Sequence, residues 1–131
     1  MRVLVVDDEE IKRVSLVDDL VAAKHDATPA ANGQEALTLL ESERFDVVLT
    51  DLRMPGIDGM DLLGRIQDGD EPHPVVILMT AYGSIPIAVD AMKMGAYDFI
   101  TKPFRNQAIL PILSRIEDML NMALRGGVAE N

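Results

Sequence analysis

Acidic side chains stand directly after two short apolar segments of this sequence. Asp7 and Asp8 follow Val3–Val6, and Asp51 follows the apolar run Phe45–Thr50. Carboxylates that are brought together repel one another, so such a group needs a compensating cation. Oxygen ligands with no histidine or cysteine beside them suit a hard ion, Mg²⁺ or Mn²⁺, rather than zinc. The first chemistry that the residues indicate is therefore a divalent-cation site.

Two further polar residues occupy equivalent places along the chain. Thr80 follows the apolar run Val75–Met79, and Lys102 follows the weaker run Tyr97–Ile100. Lys102 can balance the charge of Asp51 and hold an acceptor oxygen, while Thr80 can donate to another oxygen. A magnesium ion held by few carboxylates keeps open positions for phosphate oxygens. Together these groups predict phosphoryl transfer onto a carboxylate, in which positioning and charge neutralisation supply most of the rate.

Each of these signals has an ordinary structural explanation when it is taken alone. An acidic pair after a strand is usually a solvated helix start, because carboxylates are favoured near the positive end of the helix dipole. A lone Lys-Pro or Thr-Ala pair is less informative still. The functional interpretation is favoured only because all of the residues follow predicted strands, in an order that lets them converge.

The apolar pattern alternates between short continuous runs and helical spacing along the whole chain. Continuous runs are typical of strands that are buried on both faces, as in parallel sheets covered by helices. The alternation predicts an α/β fold of five strand–helix units with right-handed crossovers and helices on both faces. In such sheets, ligands bind outside the carboxyl ends of the strands. The candidate residues are predicted to meet at that edge.

The least regular predicted strand is Asp26–Ala31, because Pro29 lies in its middle. Proline cannot donate a hydrogen bond to a neighbouring strand, so this strand is expected at an edge of the sheet. The pair Asn32-Gly33 then breaks the chain before the next helix.

The ends of the last two helices carry recognisable residues. Ser84 is expected to cap the fourth helix and Gly95 to follow its end. Asn106 is expected to cap the last helix, which is predicted to run toward Leu124. Pro111 removes a backbone donor inside that helix, so a kink or a later helix start is expected there.

The composition limits the class of protein. Of 131 residues, 48% are hydrophobic and 26% charged, which favours one folded domain over a disordered segment. The formal net charge of −10 disfavours nucleic-acid binding by this segment. The absence of cysteine excludes disulfides, thiolate metal sites and cysteine nucleophiles. No apolar run is long enough to span a bilayer and none resembles a signal peptide, so a soluble, cytoplasmic protein is expected. The eight methionines are interpreted as core residues.

At these residues the sequence resembles the receiver domain of bacterial two-component response regulators. The matching segments, in order, are Val5–Glu9, Asp51–Gly59, Thr80–Tyr82, Gly95–Phe99 and Lys102–Phe104. The resemblance implies a flavodoxin-like, doubly wound (βα)5 fold with a five-stranded parallel sheet of order 2-1-3-4-5. It also implies a receiver domain over residues 1–124, followed by a C-terminal linker or tail over 125–131.

The resemblance implies a phosphoacceptor and a metal site. Asp51 matches the residue that takes a phosphoryl group from a sensor histidine kinase. Asp8 matches a direct carboxylate ligand of Mg²⁺, and Asp7 matches its acidic neighbour, which acts through water. Arg53 would supply a backbone carbonyl, so the implied metal set is Asp7, Asp8, Asp51 and Arg53. Arg53 also occupies a variable position that in this family tunes the lifetime of the phosphoryl group.

The remaining roles that the resemblance implies concern transfer and switching. Lys102 matches the lysine that contacts the phosphoryl group, and a cis peptide bond is expected between it and Pro103. Thr80 matches the hydroxyl that moves toward the phosphoryl group, and Tyr97 is assigned as the aromatic ring that turns inward behind it. Tyr82 occupies a second position that tunes the phosphoryl lifetime.

A narrower resemblance concerns the receivers of sigma-54-dependent transcriptional activators for nitrogen or dicarboxylate control. It implies a longer chain that continues into an ATPase and a DNA-binding domain. Phosphorylation would change the face made by helix 4, strand 5 and helix 5, and so control transcription. A homodimer is expected through this face or through the last helix. The apolar stripe of that helix either pairs with its copy or packs on the sheet; it comprises Ile109, Leu113, Ile116, Leu120 and Ala123.

Two alternatives remain open on the sequence. The first is a Mg²⁺-dependent phosphohydrolase with an aspartyl-phosphate intermediate, but Arg53 is unsuited to the acid/base role that this reaction needs near the nucleophile. The second is a degenerate receiver that acts only as an interaction module, yet the chain keeps both Asp51 and Lys102. The favoured expectation is a signalling domain that assists its own phosphoryl transfer and dephosphorylation and is not otherwise an enzyme.

Overall fold

The computed structural model describes residues 1–81 and 84–129, with side chains described as far as Leu124. Strands and helices alternate along these ranges, as the apolar pattern predicts. The elements are β1 Arg2–Val6, α1 Glu10–Ala22, β2 Asp26–Ala30, α2 Gly33–Ser42, β3 Val47–Asp51, α3 Gly59–Asp68, β4 Val75–Ala81, α4 Ile85–Lys93, β5 Asp98–Lys102 and α5 Leu110–Ala129. A short 3₁₀ turn, Asn106–Ala108, precedes α5.

The five strands form one parallel sheet in the order β2-β1-β3-β4-β5. This order confirms the predicted doubly wound fold. The strand that contains Pro29 lies at the edge, with Pro29 opposite Val5 of β1, so the expectation drawn from that proline is also confirmed. The strand order reverses between β1 and β3, and this reversal opens a crevice at the carboxyl ends of the strands, where α/β proteins bind ligands.

Two apolar layers cover the sheet. On the three-helix face, strand residues pack against α2, α3 and α4; this layer includes Leu4, Val6, Val48, Leu78, Ala36, Leu62, Leu63, Ile66 and Ala91. On the two-helix face, they pack against α1 and the α5 region; this layer includes Val3, Val5, Leu49, Ile77, Met79, Leu16, Leu20, Ile109, Leu113 and Ile116. Because successive strand residues point to opposite faces, burying both faces requires the continuous apolar runs that the sequence contains.

Both residues predicted at the ends of α4 stand at the expected positions, but only one of them has the predicted role. Gly95 follows the C-cap Met94 and has φ +109°, a conformation that favours glycine, so its predicted role is confirmed. Ser84 stands at the N-cap position, yet its hydroxyl makes no capping hydrogen bond within the described residues. That hydroxyl accepts instead from Nε of Arg53, at 2.8 Å.

The start of α5 differs from the simplest expectation. Asn106 does not cap this helix: it lies in the preceding 3₁₀ turn, and its amide donates to Asp19 Oδ2 at 2.8 Å. The helix starts later, at Leu110, which confirms one of the two outcomes expected from Pro111. Pro111 then sits in the first turn, where backbone N–H groups have no partner within the helix. The helix continues past Leu124 to Ala129, further than predicted.

The methionine prediction is wrong for the outer surfaces of α4 and α5. Met92 and Met94 near the end of α4, and Met119 and Met122 on α5, are exposed. Only some of the methionines, such as Met79, lie in the core. In the part of the chain that the structure describes, no helix combines the length and apolar character needed to cross a membrane.

Candidate functional site

Three carboxylates meet at the carboxyl ends of β1 and β3. One oxygen from each of Asp7, Asp8 and Asp51 lies within 4.8 Å of the others. Asp7 and Asp51 are 2% and 8% exposed, whereas Asp8 faces solvent. The convergence that the sequence predicts is therefore present, as a pocket with a buried floor and one exposed carboxylate at its mouth.

The loop after β1 is held in place mainly through Asp7. Its backbone N–H donates to the carbonyl of Ala30 at 3.2 Å, and its Oδ1 accepts from the backbone N–H of Glu9 at 2.9 Å. The guanidinium of Arg13, one turn into α1, donates to the carbonyl of Asp7 at 2.7 Å. Arg13 is not among the site residues predicted from the sequence. Its place six residues after Asp7, on the helix that follows, is the only local signal for this contact.

The phosphoacceptor candidate ends a fully buried strand. All five residues of β3 are buried, and the next residue, Leu52, donates its backbone N–H to the carbonyl of Met79 at 2.9 Å. On the far side of this loop, α3 begins at Gly59. A side chain there would place its Cβ 2.5 Å from the carbonyl oxygen of Asp51, so this close approach requires glycine. The backbone around Asp51 is therefore fixed from two sides.

Lys102 supplies the positive charge of the pocket. Its ammonium lies 2.9 Å from Oδ1 of Asp51 and 3.5 Å from Oδ2 of Asp7, and its side chain is 17% exposed. The peptide bond from Lys102 to Pro103 is cis, as the resemblance implied. Lys102 thus contacts two of the three grouped carboxylates, and the three together carry more negative charge than this one ammonium balances.

Burial and charge shift the pKa values of both central groups upward. Burial raises the pKa of Asp51 to about 6, from an ordinary value of 3.8; Lys102 opposes this rise and Asp7 adds to it. Burial by itself would lower the pKa of Lys102, but its hydrogen bond to Asp51 and the charges of Asp51, Asp7 and Glu9 outweigh that effect and raise it. Lys102 is therefore charged at neutral pH, and a further cation would favour the ionised form of Asp51.

The donor set of the pocket suits a hard divalent cation. The three grouped residues offer carboxylate oxygens alone. Such ligands favour Mg²⁺, Mn²⁺ or Ca²⁺ over zinc. A divalent ion would also reduce the repulsion among carboxylates that Lys102 leaves unbalanced. The pocket is therefore able to bind a metal through Asp7, Asp8 and Asp51.

Thr80 reaches the same edge of the sheet from β4 and is 1% exposed. Within the described residues its hydroxyl donates to the carbonyl of Ala81, at 3.2 Å. Leu78, two positions earlier, packs on the three-helix face. Because strand side chains alternate, Thr80 lies on that face as well.

The structure does not bring Tyr97 to Thr80. Tyr97 precedes β5 and packs into the layer on the two-helix face, on the other side of the sheet. The aromatic residue on the same face as Thr80 is Phe99, which lies opposite Leu78 in the β4–β5 register and packs into the three-helix layer. Counting back in steps of two from Thr101, the partner of Thr80, gives Phe99 and then Tyr97, so alternation alone does not separate the two; Tyr97 differs because it lies before the first residue of β5.

The side chain of Arg53 contacts the start of α4, and it is not an acid/base group. Its Nε donates to the hydroxyl of Ser84, which is 4% exposed. This contact joins the loop after Asp51 to the start of α4. The other position assigned to phosphoryl lifetime, Tyr82, lies outside the described residues.

The sequence matches a known protein family over most of its length. The family described as the response regulator receiver domain matches residues 3–114. The response regulator protein FleR of Pseudomonas aeruginosa is 41% identical over 114 residues, which cover 87% of this chain and 24% of FleR. The C4-dicarboxylate transport transcriptional regulatory protein DctD of the same organism is 37% identical over 123 residues, which cover 94% of this chain and 26% of DctD.

Solved structures share the fold. NtrX from Brucella abortus superposes with a TM-score of 0.88 and 28% identity, over 98% of this chain and 29% of NtrX. The chain thus spans about a quarter of the curated relatives FleR and DctD. DctD represents the dicarboxylate regulators that the narrower resemblance indicated.

Proposed function

Since the chain belongs to the response regulator receiver domain family, we propose that it is a phosphorylation switch whose acceptor is Asp51 and whose phosphoryl donor is a sensor histidine kinase. The observation that carries this proposal is the buried carboxylate of Asp51, 2.9 Å from the ammonium of Lys102 and grouped with two further carboxylates. The relatives FleR and DctD, named as a response regulator and a transcriptional regulator, support a role in the control of transcription.

The transfer step requires Asp51 as an anion. One of its carboxylate oxygens attacks the phosphorus of a phosphohistidine, an O–P bond forms, and the P–N bond breaks with its electron pair left on the imidazole nitrogen. With its pKa at about 6, Asp51 is mostly ionised at neutral pH. Lys102 holds an oxygen of the transferred group and offsets its charge, and Thr80 donates its hydroxyl to another oxygen. These residues position the phosphoryl group and neutralise its charge, and these two effects supply most of the catalysis in phosphoryl transfer.

A magnesium ion fits this pocket. The side chains of Asp7, Asp8 and Asp51, with the backbone carbonyl of Arg53, would hold it. When bound, it would neutralise charge on the carboxylates and on the phosphoryl oxygens. The same neutralisation, acting with Lys102, would also assist hydrolysis of the acyl phosphate, so the domain assists both its own phosphorylation and its own dephosphorylation.

The switch would run from Thr80 to the surface made by α4, β5 and α5. Thr80 moves toward the phosphoryl oxygens, and an aromatic side chain then takes the space that it leaves. Tyr97 was assigned to this role by resemblance, but Phe99 is the better candidate because it shares a face of the sheet with Thr80. The phosphoryl group would favour one of two arrangements that are already in equilibrium.

Dimerisation belongs to the same proposal, with a change in the residues assigned to it. The first part of the stripe on the last helix packs on the sheet: Ile109, Leu113 and Ile116 are fully buried and Leu120 is partly buried, whereas Ala123 is exposed. The apolar side chains available to a second copy, or to an output domain, are instead the exposed ones; these are Val89, Met92 and Met94 near α4, with Met119, Met122 and Leu124 on α5.

The longer relatives suggest the context of the domain. We infer a receiver over residues 1–124 and a connecting segment over 125–131, leading in the full protein to an ATPase and a DNA-binding domain in the cytoplasm. The α5 helix runs through this boundary to Ala129, which would make the start of the connection helical.

Two other functions are less well supported. A phosphohydrolase that turns over phosphate esters needs an acid/base group near the nucleophile, and Arg53, two residues after Asp51, donates instead to Ser84. A degenerate receiver commonly lacks the acceptor or the lysine, whereas here both are present and in contact.

Incubation with acetyl phosphate and Mg²⁺, followed by intact mass spectrometry, tests the proposal. The wild type should gain one phosphoryl group, and Asp51→Asn should gain none. Asp90→Asn, a change of the same kind at an exposed position of α4, should behave like wild type. A gain of equal size in Asp51→Asn would refute the acceptor assignment, and rapid turnover of a phosphate ester would favour the phosphohydrolase.

A further inference from the structure

We propose that the side chain of Arg53 is a positioning residue that ties the first turn of α4 to the loop after Asp51, and that a phosphoryl group on Asp51 releases this tie. The second half of the proposal rests on the proposed acceptor role of Asp51; the first half concerns the free protein alone. The contact between Arg53 Nε and Ser84 Oγ, at 2.8 Å, is the observation from which it starts.

The first turn of α4 is held differently from those of α2 and α3. The α2 N-terminus is capped by Asn32, whose side chain accepts from the backbone N–H of Glu35. The α3 N-terminus has a capping box formed by Asp58 and Asp61. Within the described residues, α4 has no side-chain cap. No described side chain therefore satisfies its orphan N–H groups, and this makes its first turn the easiest of the three to displace.

Ser84 stands at the N-cap position of α4, and serine is a common N-cap residue. Its hydroxyl, however, contacts a residue outside this helix. An N-cap side chain accepts from the second or third helical residue. The second residue of α4 is Pro86, which has no N–H, so only Ile87 could donate. In the structure the Ser84 hydroxyl accepts from Arg53 instead, 31 positions earlier in the chain. The start of α4 thus depends on a residue of the acceptor loop.

Arg53 is placed to respond to a change of charge at Asp51, two residues before it. A phosphoryl group adds roughly one to two negative charges, together with three oxygens that are strong hydrogen-bond acceptors. A guanidinium forms charge-assisted hydrogen bonds to such oxygens, frequently two in parallel, whereas Ser84 offers it one neutral acceptor. Phosphorylation would therefore draw Arg53 away from Ser84 and leave the first turn of α4 free to move.

The contact between Arg53 and Ser84 links the start of α4 quantitatively to binding of a phosphoryl group at Asp51. A contact that exists only in the free protein favours that form, and its removal must strengthen binding of the phosphoryl group by the same factor. A net hydrogen bond of this kind corresponds to a factor of about five. Ser84→Ala should therefore raise the affinity for beryllofluoride, a phosphoryl mimic, by about fivefold, although Ser84 lies outside the acid pocket.

The first arm of the test uses the free protein. Amide exchange of Ile85 and Ile87 is measured by NMR in wild type, Ser84→Ala, Arg53→Ala and the double variant. Each single variant should exchange about fivefold faster at these amides than wild type, and the double variant should be no faster than either. Ser84→Thr, which keeps the hydroxyl, should stay within about twofold of wild type. Independent effects that multiply in the double variant, or no effect in either single variant, would overturn the tie.

The second arm adds beryllofluoride and Mg²⁺. Ser84→Ala should bind beryllofluoride about fivefold more tightly than wild type, and the same substitution should have no effect in the Arg53→Ala background. In the saturated state, Ile85 and Ile87 should exchange at the same rate in wild type and Ser84→Ala. Slower exchange in saturated wild type would show that the tie persists and overturn its release. If beryllofluoride leaves the resonances around Asp51 unchanged, the acceptor role and the release fail together, while the first arm still decides whether the tie exists.

Discussion

Neutralising the acceptor should stabilise the metal-free protein at neutral pH. The pKa of Asp51 rises from 3.8 to about 6 on folding, chiefly because the carboxyl group is buried. The folded protein therefore holds a proton on Asp51 more tightly than the unfolded chain does. Ionisation of Asp51 thus lowers the free energy of unfolding progressively as the pH rises from about 4 to about 6, and by a constant amount above that range.

The size of this effect follows from the shift. At about 1.36 kcal/mol per pH unit, the rise corresponds to about 3 kcal/mol. The pocket opens to solvent at Asp8, and screening there reduces the expected effect to about 1–2 kcal/mol. In Asp51→Asn the amide is neutral at every pH and its oxygen still accepts from Lys102. The variant should therefore be more stable than wild type at pH 7.5 by about that amount, and equally stable at pH 4.

Urea denaturation in the presence of EDTA measures this difference at both pH values. The slope of the transition should be unchanged, so that the gain appears as a shift of the midpoint. Asp90→Asn, at an exposed position, should shift the midpoint by no more than about 0.5 kcal/mol at either pH. A less stable Asp51→Asn protein at pH 7.5, or a gain of the same size at pH 4, would refute the electrostatic account of the pocket.

Three further predictions concern the same pocket. Gly59→Ala should destabilise the protein by about 1–3 kcal/mol, measured by urea denaturation, because the new Cβ would lie 2.5 Å from the Asp51 carbonyl oxygen. Gly64→Ala is the control: the nearest atom to its new Cβ is 3.9 Å away, so it should be neutral or stabilising. Equal effects of the two substitutions would contradict the packing argument. Lys102→Gln should raise the pKa of Asp51 above about 6, since Lys102 opposes the rise, and carboxyl NMR titration without metal measures it; an unchanged or lower pKa would oppose this. Mg²⁺ at ten times its Kd should stabilise wild type by about 1.4 kcal/mol, and Asp8→Asn should lose most of that gain at the same concentration; equal gains would exclude Asp8 as a ligand.

The strand ends of this fold could be predicted because each depends on local sequence. Val3–Val6 and Val75–Met79 are too short and too continuously apolar for amphipathic helices, and the acidic and hydroxyl residues after them fall at one edge once the sheet is parallel. Pro29 alone placed β2 at the edge of the sheet. The full strand order required the family resemblance, because periodicity does not say which strands are neighbours.

The errors arose where the outcome depends on tertiary contacts. Tyr97 was assigned to the switch by resemblance, but it lies before the first residue of β5 and packs into the two-helix layer, whereas Phe99 lies within the strand, on the face of Thr80. Ser84 is at the predicted cap position, yet its hydroxyl accepts from Arg53, a partner that no local pattern could indicate. Likewise, Asn106 donates to a residue of α1 instead of capping α5.

Borohydride trapping reports most directly on the central claim, covalent phosphorylation at one side chain. The protein is treated with acetyl phosphate and Mg²⁺ and then reduced, which converts an aspartyl phosphate into homoserine. Peptide mass spectrometry then locates the change. Homoserine at position 51, and at no other aspartate, is the predicted result. Homoserine at position 7 or 8, or none at any position in protein that is folded and saturated with Mg²⁺, would contradict the account.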